Sequence, residues 1–280
     1  MAVDRVKRGG RALINIRAVR GGKELSRLNK VMKNFLLVLI VVVPSFASAV
    51  IALPAKNEIV KDTLLFEGKK RAYYLLVPAG LSDKTAVPLV VTLHGSGRNG
   101  LSLVEKWKDI AATEGLIIVG PDAQNSEGWF VPQDGPDFLH ALVEALKAKY
   151  PINPRRVYLF GHSAGASMGL YMSLYESEYF AATAVHAGSL RPQTYPLISF
   201  AKRKIPIFIM VGTRDQFFPL AEVRATRDEL IKHGLTVQLT EIANHDHWYY
   251  DLAPKINRNA WDFLKKEELS ADNALRTIQL

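Results

Sequence analysis

The stretch Arg156-Val157-Tyr158-Leu159-Phe160-Gly161-His162-Ser163-Ala164-Gly165 limits the fold of this chain more than any other. Residues 157–160 are β-branched, aromatic and apolar, the composition of a short buried strand. The run stops at Gly-His-Ser-Ala-Gly, and residues 166–175 then read as a helix. A serine between strand and helix in a G-x-S-x-G setting must occupy a tight, strained turn, which only small neighbours permit. Gly161 and Gly165 let strand and helix approach, leaving the Ser163 side chain exposed at the top of a sheet. The pentapeptide is common by itself; its weight comes from the strand before it and the helix after it.

Strands and helices alternate on both sides of this unit. Edge strands are expected at residues 55–67 and 71–77, and further strands at 87–93, 116–119, 180–186, 205–211 and 236–242. Helical spacing marks residues 101–114, 136–149, 220–233 and 254–266. The unbroken apolar run at 87–93 suits a strand buried on both faces. The alternation predicts a single α/β domain over residues 50–280, with a mainly parallel sheet of about eight strands and helices on both faces. No large lid domain is expected, because only residues 190–203 separate the strand after the elbow from the next one. The polar tail, residues 270–280, is expected to fray.

In such sheets ligands collect at the carboxyl ends of the strands. Asp215 lies just past the strand at 205–211, within Gly212-Thr213-Arg214-Asp215. Past the last strand comes Asn244-His245-Asp246-His247-Trp248. A serine hydroxyl needs a base to take its proton and an acid to orient that base. Ser163, Asp215 and His247 supply the three in the order Ser, Asp, His. His247 is preferred over His245 as the base, because Trp248, Tyr249 and Tyr250 follow it and are able to pack the loop. Two backbone amides are expected to bind an oxyanion: Ala164, after the nucleophile, and Ser96, in the glycine-rich His94-Gly95-Ser96-Gly97 loop. Trp129, Phe130, Phe217, Phe218 and Trp248 are candidates to line an acyl or aromatic site. His162, His186, His140 and His233 are read as structural or surface residues.

These residues resemble a known family. Leu93-His94-Gly95-Ser96-Gly97, the run from Arg155 to Met168, Gly212-Thr213-Arg214-Asp215 and His245-Asp246-His247-Trp248 look like the α/β-hydrolase superfamily. The branch most similar is that of secreted polyhydroxybutyrate depolymerases and feruloyl-esterase-like enzymes. The resemblance covers residues 71–263 and implies the α/β-hydrolase fold, Ser163 as nucleophile, Asp215 as acid and one of the paired histidines as base. It implies a serine carboxylic-ester hydrolase without metal or organic cofactor, acting on a small-molecule or polymer-linked ester. The chain departs from the branch in two respects. Asn244 stands before a His-x-His where members often have a glycine before a single histidine, and there are no cysteines for the disulfides that members often carry. A prolyl-oligopeptidase-like serine peptidase and a non-catalytic binding protein on the same fold are the rival readings.

The net charge of +9 does not point to nucleic acid once it is located. Residues 1–33 hold ten Lys and Arg against two acids, so the remainder, with 26 basic and 25 acidic residues, is nearly neutral. After the basic arm come nine apolar residues, 35–43, and an Ala47-Ser48-Ala49 end. These are the three parts of a signal peptide, and the apolar run is shorter than the ~20 residues that cross a bilayer. Residues 1–49 are therefore read as a leader cleaved after Ala49, with Met32 as an alternative start, and the mature chain as secreted or periplasmic.

Overall fold

The structure is a computed structural model that describes residues 57–82 and 84–271. The expected leader, its cleavage point and residues 272–280 lie outside the described residues. Eight strands form one sheet: β1 (Ile59–Phe66), β2 (Lys69–Leu76), β3 (Val87–Leu93), β4 (Ile117–Pro121), β5 (Ile152–His162), β6 (Ala182–His186), β7 (Ile207–Gly212) and β8 (Val237–Ile242). Their spatial order is β1-β2-β4-β3-β5-β6-β7-β8. β1 and β2 form a hairpin, β2 runs antiparallel to β4, and every other pairing is parallel. The hairpin turns through Glu67 and Gly68, both at positive φ, the backbone a two-residue turn requires. The central strand β3 is buried throughout. Pro88 within it has no N–H to give, and the β3–β5 register shifts at that point.

Among the described residues five helices cover the sheet: α1 (Leu101–Glu114), α2 (Pro136–Lys147), α3 (Ala164–Tyr175), α4 (Leu220–Lys232) and α5 (Ala253–Leu264). Strand side chains alternate between the faces, so each face has its own apolar layer. One layer joins Val90, Ile118, Tyr158 and Phe160 to Trp107 of α1 and Trp261 of α5. The other joins Leu89, Val91, Leu159 and Ile209 to Phe138 of α2, Met168 of α3 and Leu230 of α4. Between β6 and β7 a 3₁₀ segment, Pro192–Phe200, occupies the connection from which no regular element was expected. Among the described residues no helix is long and apolar enough to cross a membrane.

The parallel strands all end on one edge, because the register aligns Leu93 with Gly161, His162 with His186, and Gly212 with Ile242. The loops that follow β3, β5, β7 and β8 therefore meet there.

Candidate active site

Ser163 caps β5 and opens α3 at φ 58° and ψ −121°, a backbone conformation that costs a non-glycine residue about 1–3 kcal/mol. Its neighbours explain how the chain tolerates this. A Cβ on Gly161 would lie 2.2 Å from the Gly165 carbonyl oxygen, and one on Gly165 would lie 1.9 Å from that of Leu93. Only glycines let α3 sit this close to the strand ends. The turn leaves the Ser163 Oγ 3.0 Å from His247 Nε2.

His247 Nδ1 lies 2.9 Å from Asp215 Oδ2. The other carboxylate oxygen, Oδ1, accepts the Phe217 and Phe218 amides, both at 2.9 Å. Burial alone would raise the Asp215 pKa, but the bonds from His247 and these two amides outweigh it and hold the carboxyl below its usual range. Asp215 is therefore ionised, and its contact fixes the proton on His247 Nδ1 and leaves Nε2 free to accept from Ser163. The ring of His247 is held between Phe217, at 4.8 Å, and a stacked Phe218, at 5.7 Å.

The loop carrying His247 is shaped by its first residues. Asn244 has φ 59°, the left-handed region that asparagine tolerates better than most residues. A Cβ on Gly212 would meet the His245 carbonyl oxygen at 2.2 Å, so the loop lies directly on the end of β7. His245 itself is buried, with its ring 5.3 Å from that of His186 and away from Ser163. His162 and His186 face each other through their Nδ1 atoms at 3.1 Å. Burial, followed by the nearness of His247, lowers the His162 pKa to about 3. Burial, followed by His162, lowers that of His186 as well. Both stay neutral, and the His162 ring packs against that of His247 at 5.1 Å.

In front of Ser163 opens a cleft of about 1040 Å³. Ser96, Ala164, Trp129, Phe130, Phe217 and Phe218 all line it. Trp248 is not on its wall. The Trp248 amide turns back to Asp246 Oδ1 at 2.8 Å, and its 45% exposed ring packs on Tyr250 under the Arg98 guanidinium. That is a correction to its expected place.

The loop after β4, expected to carry Trp129 and Phe130, is anchored by a buried ion pair. Asp134 is fully buried and paired with Arg71 of β2. It also accepts the Gln124 amide at 2.8 Å and the Phe130 amide at 3.0 Å. This loop is laced to the glycine-rich loop after β3. The Trp129 indole N–H donates to the His94 carbonyl at 2.8 Å, the Ala123 amide to His94 Nε2 at 3.0 Å, and the Gly97 amide to the Ser126 carbonyl at 2.8 Å. His94 thus carries its proton on Nδ1, which donates to the Gly95 carbonyl.

A mostly parallel sheet with a strained serine after its fifth strand defines an α/β-hydrolase. Residues 125–270 match the model of the dienelactone hydrolase family, more than half of the chain, and the chain belongs to that family. Among curated proteins it is 27% identical over 161 residues to a bifunctional acetylxylan esterase/xylanase of Neocallimastix patriciarum, covering 56% of this chain and 23% of that protein. It is 32% identical over 125 residues to poly(3-hydroxyalkanoate) depolymerase C of Paucimonas lemoignei, covering 40% of this chain and 30% of that one. The chain thus spans less than a third of the length of either relative. Among solved structures, a ferulic acid esterase superposes with a TM-score of 0.62 at 18% identity, over 75% of this chain and 98% of that one. An S-formylglutathione hydrolase from Staphylococcus aureus gives 0.64 at 15% identity, over 74% and 98%. These likenesses show the fold.

Proposed function

We propose that this protein is an exported serine hydrolase that cleaves carboxylic esters through Ser163, His247 and Asp215. The observation that carries the reading is the unbroken chain of contacts from Asp215 to His247 to Ser163, at 2.9 and 3.0 Å, at the mouth of the cleft. The printed name of the Neocallimastix patriciarum relative, an acetylxylan esterase/xylanase, agrees with it. The export part rests on the leader read from residues 1–49.

In this mechanism the Ser163 Oγ attacks the ester carbonyl carbon while its proton passes to His247 Nε2. The imidazolium that forms is stabilised by Asp215, which stays ionised. The Ser96 and Ala164 amides bind the oxyanion, helped by the positive end of α3. Collapse breaks the ester C–O bond, and the departing alcohol takes the proton from His247. Water then gives a proton to His247 and attacks the acyl-enzyme, releasing the acid and restoring Ser163. Trp129, Phe130 and Phe217 offer the acyl or aromatic part of the substrate an apolar wall.

The test is hydrolysis of p-nitrophenyl acetate and butyrate by residues 50–280, with an anilide of the same acid as the amide comparison. Esters are expected to turn over and the anilide far less, with Ser163→Ala losing several orders of magnitude in kcat. Ester hydrolysis surviving in Ser163→Ala, or a preference for the anilide, contradicts the reading.

A further inference from the structure

The cleft runs along α3. Its wall on that side is Ser167, Met168, Tyr171 and Leu174, which follow Ser163 at helical spacing and so share one face. The facing wall is Leu190, Arg191, Thr194 and Leu197. The last three recur every third residue, the period at which side chains line up along the 3₁₀ segment. The groove between these walls changes character with depth. Met168, Leu174 and Leu190 are buried, at 5%, 0% and 6% exposure, whereas Glu127, Arg191 and Glu222 are exposed. Carbon therefore lines the floor, and charge stands at the rim. The hydroxyls along the groove are already committed. Ser167 Oγ donates to the Ser189 carbonyl at 3.2 Å, and Thr194 Oγ1 to the Arg191 carbonyl at 2.7 Å. From Ser163 to Leu174 the helix advances about 16 Å.

We infer that this groove holds the acyl chain of the substrate, so that the ester cleaved at Ser163 is that of an unbranched aliphatic acid of about eight to twelve carbons. The inference rests on the ester-hydrolase reading above. An extended chain with C–C bonds of ~1.5 Å advances about 1.25 Å per carbon, so twelve carbons span about 15 Å, the length of the groove. The departing alcohol must lie by His247 Nε2, which gives it a proton, and the arm left to run along α3 is the acyl arm. A methylene chain asks for no hydrogen bond, which suits a floor of buried Met and Leu side chains. A polar chain laid on the same floor would leave its hydroxyls unpaired there. Arg191, Glu127 and Glu222 keep their charges in water at the rim while the acyl chain fills the floor beneath them.

The test is kcat/KM for p-nitrophenyl butyrate and octanoate, each held as monomers in solution, with butyl and octyl acetate as the comparison for the alcohol arm. Fully burying a methylene is a factor of about four in binding, and a groove open on one side gives about half that free energy, a factor of about two. The wild type is therefore expected to favour octanoate over butyrate by about 15-fold, and octyl over butyl acetate by less than about threefold. Leu197→Trp, which fills the groove from the 3₁₀ wall, is expected to bring the octanoate-to-butyrate ratio to within about twofold of unity. Thr194→Trp, on the same wall and less buried in the fold, is expected to do the same. Each ratio is taken within one protein, so it does not depend on the fraction of a variant that is folded. A wild-type ratio of one or below, a ratio that survives in both Trp variants, or a length preference shown by the alkyl acetates instead overturns the inference. Failure of the wild type to cleave any of these esters, p-nitrophenyl acetate included, is a separate result, which removes the ester-hydrolase reading beneath it.

Discussion

Two loops at the carboxyl edge of the sheet each hold a buried aspartate, and they are built alike up to its partner. After β7, Asp215 accepts two amides of its own loop and pairs with His247. After β4, Asp134 accepts two amides of its own loop and pairs with Arg71. An imidazole gains and loses a proton near neutral pH, whereas a guanidinium stays charged. The first pair is therefore suited to a charge that comes and goes during a reaction. The second holds a fixed charge, and its effect is mechanical: it pins the loop that carries Trp129 and Phe130 and, through Trp129, Ala123 and Ser126, the loop that carries Ser96. On the proposed mechanism, similar carboxylates thus divide into a proton-handling role and a scaffolding role according to the cation opposite.

The sharpest way to break this comparison is to neutralise each aspartate. Asp215→Asn is expected to lower ester turnover about 10⁴-fold while leaving thermal stability nearly unchanged, as read by steady-state kinetics and a melting curve. Asp134→Asn is expected to do the reverse. It strands a buried Arg71 and costs about 3–5 kcal/mol in a urea titration, with a much smaller loss of turnover at a temperature where the variant is folded. If Asp134→Asn cost more activity than Asp215→Asn, the two roles would be misassigned. Replacing both partners, Arg71→Met with Asp134→Leu, is expected to recover most of the stability lost by the single change.

Asp215, followed directly from a strand end, was legible in the sequence; Asp134 was not. Strand positions, helix faces and the elbow are written in local apolar patterns and glycines, and the sheet-end rule then locates Asp215 and the two histidines. Asp134 sits in a loop of glycine, proline and polar residues, and its partner Arg71 is 63 residues away, so no local pattern links them. The 3₁₀ segment was missed for a related reason: Pro196 lies inside it, and its buried side of Ile198 alone gives no helical period. Trp248 was placed on the cleft by its nearness to His247 in sequence, but the turn at Asp246 aims the ring outward.

Acid stability extends the comparison to the buried histidines beside His247. His162 and His186 are held neutral by burial, with pKa values lowered below the 6.5 of an unperturbed histidine, to about 3 for His162. Below pH 6.5 the unfolded chain binds protons that these two refuse in the folded state. Stability is therefore expected to fall as pH falls, by up to about 1.4 kcal/mol per unit for each histidine. For His162 the loss runs from pH 6.5 down to about 3. Urea midpoints taken between pH 7 and 5 check this, and His162→Gln is expected to flatten the slope. A smaller effect belongs to Trp129→Phe, which removes the indole bond to the His94 carbonyl. The expected cost is about 1 kcal/mol of stability, with a drop in kcat/KM of less than tenfold if the Ser96 loop loosens.

The central claim, that Ser163 is a nucleophile activated by His247, is tested most directly by labelling the protein with a fluorophosphonate and locating the adduct by peptide mass spectrometry. The account predicts one adduct, on Ser163, formed at full rate in His245→Gln, strongly slowed in His247→Gln and absent in Ser163→Ala. An adduct on another residue, labelling that survives in Ser163→Ala, or dependence on His245 instead of His247 would contradict it.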